Sequence, residues 1–167
     1  TQIEETFKKI DMVLMDTAGI LEERKGIENW KAGELSVLLE QRKKHIPEAQ
    51  NLFIVGKDGV DLIRSQYGNR SNQGNRDYFY KQVSSKEDKL IFSRPLVSQE
   101  TGKLVMILSR KIVGKKGEFQ GIVAAGIPLI YFSEFYSKLN LLPNSAITIN
   151  GSDNLLYSRY PWVEKFI

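Results

Sequence analysis

Apolar residues recur every three or four positions through the first part of the chain, then give way to alternation and short apolar runs. Ile3, Phe7, Ile10, Leu14, Thr17 and Leu21 step by four and three, with charged residues between them. That spacing predicts an amphipathic helix. The stripe is heptad-like over three heptads, with Gly19 interrupting it. It suits a helix packed on its own domain or a helix that pairs with a second copy. A second helix is expected from Ile27 to about His45, on Ile27, Trp30, Leu35, Leu38 and Leu39. Its basic end, Arg42-Lys43-Lys44, complements the helix dipole, and Pro47 follows as a stop.

Beyond Pro47 the pattern is that of strands and turns. Asn51 to Val55 is a short apolar strand, Lys57-Asp58-Gly59 a tight turn, and Val60 to Arg64 the return. Gly68 to Asn75 is a polar loop rich in Gly, Asn and Ser, of the kind that carries binding residues. Asp77 to Val83 is expected as a short helix, followed by strands at Leu90 to Val97, Leu104 to Val113 and Phe119 to Ile127. The middle of these puts Val105, Ile107 and Val113 on one face and Leu104, Met106, Leu108 and Ile112 on the other. Both faces are apolar in the last two strands, so the centre of the sheet should be covered on both sides. Pro128 opens a predicted helix to Leu139, and Asn144 to Asn150 with Leu155 to Tyr157 closes the chain as a hairpin. The expected fold is α+β: a long helical N-terminus, then one mainly antiparallel sheet of five or six strands with short flanking helices.

Composition narrows the chemistry. With 167 residues the chain fits one domain with a core of its own. Cysteine is absent and His45 is the single histidine, which removes disulfides, thiolate metal sites and two-histidine metal motifs. The net charge of +4 is spread among interspersed acids, without the clustered base a nucleic-acid groove needs. The longest apolar stretch, Gly121 to Phe132, is too short to span a bilayer and contains Pro128. No nucleophile-and-base constellation or phosphate loop is visible, so no catalytic residue, metal or cofactor is expected.

One segment stands out. Asn75-Arg76-Asp77-Tyr78-Phe79-Tyr80 joins an arginine to three aromatics directly after the polar loop. Two further arginines, Arg94 and Arg110, lie in strand contexts among apolar neighbours. A strand arginine either faces solvent, forms a structural ion pair, or holds an anion through its planar fork.

These segments together resemble a family. Phe53-Ile-Val-Gly-Lys-Asp-Gly59 resembles the first hairpin of a Cache domain, the PAS-like extracytoplasmic sensor of bacteria. Asn75-Arg-Asp-Tyr-Phe79 is similar to that family's helix-opening motif. Ile91-Phe-Ser-Arg-Pro95, Thr101-Gly-Lys103 and Ile107-Leu-Ser-Arg110 resemble its middle strands, and Gly117 to Ala125 leading to Tyr131-Phe132 its last core strand. Leu155-Leu-Tyr-Ser-Arg-Tyr-Pro161 resembles the end of the first module of double-Cache sensors.

The resemblance implies the sensory part of a membrane receptor. Residues 1–47 would form a helical segment leading from a membrane span, and 48–167 a membrane-distal sensor module. The chain would be the periplasmic portion of an inner-membrane protein, and the lack of an initiator Met agrees with an excised piece. Its output would be a cytoplasmic diguanylate cyclase, histidine kinase or chemotaxis domain. Amino-acid-binding members use an arginine followed two residues later by an aromatic, which Arg76 and Tyr78 match. Where those members place a tyrosine and an ammonium-holding aspartate, this chain has Leu96 and Gly126. The implied ligand is therefore a small carboxylate or other anion. The candidate ligand-binding residues are Arg76, Tyr78, Tyr80, Arg94, Tyr67, Met106 and Arg110. A homodimer through the N-terminal helix is the partner that the second use of the Ile3–Leu21 stripe would give. The alternative is a ligand-free structural or dimerisation module of the same fold.

Overall fold

The computed structural model describes residues 2–24, 26–64, 73–132, 147–150 and 156–160. Helix α1 spans Gln2–Glu22 without a break at Gly19. A 3-10 turn, Ile27–Asn29, and helix α2, Ala32–Lys43, replace the single second helix expected. The break falls at Trp30 and Lys31, whose backbone is extended. Then come β1 (Asn51–Gly56), β2 (Asp61–Arg64) and helix α3 (Asp77–Ser84). The predicted strand Leu90–Val97 is two short ones, β3 (Ile91–Phe92) and β4 (Leu96–Val97). Pro95 cannot donate to a ladder, and Ser93 uses its own hydroxyl to receive the Ile107 N–H at 2.8 Å. The long strands β5 (Leu104–Val113) and β6 (Phe119–Pro128) follow as expected. Strands β7 (Ile147–Asn150) and β8 (Leu156–Tyr160) pair with each other as a separate two-stranded sheet. Residues 130–132 are helical, and the rest of the helix expected to Leu139 lies outside the described residues.

The main sheet has six strands in the order β2-β1-β6-β5-β3, with β4 also on β5 and every pairing antiparallel. The β1–β2 turn contains Gly59 at φ 82°, the positive φ the turn was expected to need.

Each face of the sheet carries its own core. On one face α1 and α2 bring Ile10, Val13, Leu14, Leu21, Leu35 and Leu39 onto Leu52, Ile54, Met106, Leu108, Ile112 and Val123. The Ile3–Leu21 stripe is thus spent on the chain's own sheet. The opposite helix face leaves Met12 and Met15 in solvent. On the other face α3 lays Tyr78 and Phe79 on Phe53, Val55, Val105, Ile107, Ile122 and Ala124.

Candidate functional site

The α3 face of the sheet does not close over its whole length. Beside Tyr78 a cleft remains, floored by Phe53, Val105 and Ile107. Its walls are Gln73, Arg76 and Tyr78 on one side and Leu96, Val97, Ser98 and Gln99 on the other, with Gln50 and Asn51 at one end. Tyr78 meets Phe53 edge-to-face, ring centres 6.0 Å apart. Its hydroxyl donates to Gln73 Oε1 at 2.8 Å. Gln73 Nε2 in turn donates to Asp61 Oδ2 at 3.1 Å and Gln99 Oε1 at 3.2 Å. Gln73 and Asp61 are both buried, so this network fixes the polar wall rigidly.

Asn51 is equally committed. Its Oδ1 accepts the Gly126 N–H at 3.0 Å and its Nδ2 donates to Glu100 Oε2 at 3.1 Å. Arg76 is different. It stands at the N-cap of α3, half-buried, and its guanidinium has no hydrogen bond or ion pair among the described residues. An unpaired planar cation over an apolar floor is a seat for a carboxylate. The free interior is about 30 Å³, room for about one or two waters. A larger guest must displace the side chains of Leu96 or Arg76.

Of the seven candidate residues, the structure brings Arg76 and Tyr78 together in this cleft. Tyr67 lies outside the described residues. Tyr80, on the outer face of α3, is 49% exposed. Arg94 is exposed within the break between β3 and β4, and its backbone N–H donates to Asp77 Oδ2 at 2.8 Å. Met106 and Arg110 are corrected by strand alternation. Val105, Ile107 and Ser109 face α3, so Met106 and Arg110 face α1. Arg110 grips Asp11 with two bonds, Nε to Oδ1 at 2.7 Å and Nη2 to Oδ2 at 2.9 Å. The Asp11 carboxylate, by hydrogen bonding to the guanidinium, holds it above its ordinary pKa. Arg110 is a helix anchor, not a lining residue. The lining residues missed from sequence include the polar Asn51, Gln73 and Gln99. Alternation along β1 from Phe53 would have found Asn51.

No family model matches the chain, and no curated protein matches it. Solved structures do. The extracellular domain of the histidine kinase rpHK1S-Z16 superposes with a TM-score of 0.86 at 25% identity, over 96% of this chain and 66% of that one. The ligand-binding domain of the Pseudomonas fluorescens chemoreceptor CtaA, in complex with L-valine, gives 0.71 at 13% identity, over 93% and 67%. That of the Campylobacter jejuni chemoreceptor Tlp3, in complex with 4-methylisoleucine, gives 0.64 at 14% identity, over 93% and 64%. The chain has the PAS-like fold of an extracellular sensor domain. The Cache resemblance read from the ordered segments is borne out by these neighbours. They are sensor domains, not catalytic ones, and the chain spans about two thirds of each. Among the described residues of this sensor domain, no helix is long and apolar enough to cross a membrane.

Proposed function

We propose that this chain is the small-molecule-sensing part of a membrane signalling receptor, located outside the cytoplasmic membrane. Its ligand binds in the cleft beside α3. The observation that carries the reading is the Arg76 guanidinium, unpaired among the described residues, beside a rigid Tyr78–Gln73–Asp61 network. Catalytic output lies in another part of the receptor, of diguanylate cyclase, histidine kinase or chemoreceptor type.

The ligand is a carboxylate without an ammonium group. A Cβ at Gly126 would stand 2.7 Å from Asn51 Oδ1, so an ammonium-holding aspartate there would have to expel the Asn51 amide. Exposed Met12 and Met15 favour a second reading, association through the outer face of α1.

A thermal-shift screen against small carboxylates, amino acids, amines, purines and sugars tests the assignment. A ligand at a hundred times its Kd adds about 2.7 kcal/mol, a rise of about 5–10 °C. The expected hit is a carboxylate whose shift disappears in Arg76→Ala while the circular dichroism of the variant is unchanged. A full response in Arg76→Ala would overturn the cleft assignment. Silence across the panel would favour the ligand-free module.

A further inference from the structure

A second cavity lies at the opposite end of β1, on the opposite face of the sheet. It is an open pocket of about 300 Å³, ten times the α3 cleft, and the two share no lining residue. That volume is at the lower end of the range for small-molecule sites, about 300–1,000 Å³. The walls are Ile27, Trp30, Leu35 and Leu62, contributed by the 3-10 turn, α2 and β2. Ile27 and Leu35 are buried, so the floor is apolar.

The tryptophan is held rigidly. Its Nε1 donates to the Leu21 carbonyl at 3.3 Å, and the Arg24 guanidinium covers the ring at 3.9 Å from the centroid. Arg24 is itself bound by Glu34 at 2.5 Å.

Three charged side chains border the cavity, and one of them, Asp58, is committed. Asp58 Oδ1 accepts the Val60 N–H at 3.2 Å within its own turn. The Glu28 carboxylate is folded back against Gly26, its atoms 2.6–2.7 Å from where a Cβ would stand there. Lys57 has no hydrogen bond or ion pair among the described residues. Lys57 is the one cation among the described lining residues, so an apolar body carrying one negative charge has a partner there.

We propose that this cavity is a second binding site, for a small organic carboxylate with an apolar tail, its tail on Trp30 and Leu62 and its carboxylate on Lys57. The site stands independently of the α3 cleft. The test uses octanoate, below its micellar concentration, and Trp30 fluorescence in a Trp162→Phe background, which leaves one tryptophan. A saturable emission change is expected. Lys57→Glu, at an exposed position, should weaken binding by about tenfold or more. Ala32→Trp, which fills the chamber from an exposed helix position, should abolish binding, and octylamine should not compete. Arg76→Ala should leave the titration unchanged. A non-saturating change, equal affinity in Lys57→Glu or competition by octylamine would overturn the proposal. Loss of binding in Arg76→Ala would also overturn it, by moving octanoate to the α3 cleft and supporting that site instead.

Discussion

At Gly126 the backbone of β6 passes so close to β1 that side-chain size becomes decisive. A Cβ there would meet Asn51 Oδ1 at 2.7 Å and Ile107 Cδ1 at 3.3 Å, between two buried strands with little room to give. Gly126→Ala should therefore cost about 1–3 kcal/mol, as overpacking a close-packed core does. Urea unfolding should show it as a lower midpoint at unchanged slope. An unchanged midpoint would mean that Asn51 can swing aside, and would reopen the site to ammonium ligands. At this scale the sequence was readable where residue type and local spacing coincide. Arg76 and Tyr78 lie two apart at the opening of a short helix, and both line the cleft. Gln73 was not readable, because its role comes from three partners distant along the chain: Asp61, Tyr78 and Gln99.

Among the elements, β5 joins the two halves of the structure, and neighbouring residues face opposite ways. Ser109 bonds to α3 through the Tyr78 carbonyl and Gln82. Arg110 bonds to α1 through Asp11 and reaches the Asp88 carbonyl at 3.1 Å. The helix that shapes the cleft and the helix that opens the chain are thus fastened to consecutive residues of one strand. The Arg110–Asp11 pair is largely shielded, at 13% and 22% side-chain exposure. Arg110→Ala should lower stability by about 1.5–3 kcal/mol, the range for hydrogen bonds to charged groups. Asp11→Asn should lose less, since an amide still accepts one bond. Carboxylate binding at the α3 cleft should persist in both, because neither residue lines it. Loss of ligand response in a folded Arg110→Ala would return Arg110 to the site. The extent of β5 and β6 was legible because both faces are apolar over ten residues each. The face of Arg110 was not, because alternation pairs it with Met106 without saying which side holds the cleft.

For the whole molecule, the change of rhythm at Pro47 separates helices from strands in sequence, but the larger core crosses it. Ile10, Val13, Leu14 and Leu21 of α1 are at most 9% exposed, packed on sheet residues that begin at Leu52. Each such burial contributes about 1.5–3 kcal/mol. Losing α1 alone therefore removes roughly 6–12 kcal/mol, comparable with the 5–15 kcal/mol that holds a typical domain. Residues 48–167 alone should show no cooperative thermal transition and should bind a hydrophobic dye, through the uncovered Met106, Leu108, Ile112 and Val123. A fragment that melts cooperatively would show instead that the sheet is self-sufficient and α1 a detachable layer. The two outcomes separate two kinds of receptor. If α1 is integral to the core, a ligand that shifts α3 and β5 acts on α1 through shared packing. If α1 detaches, the same ligand could change only how often the helix docks.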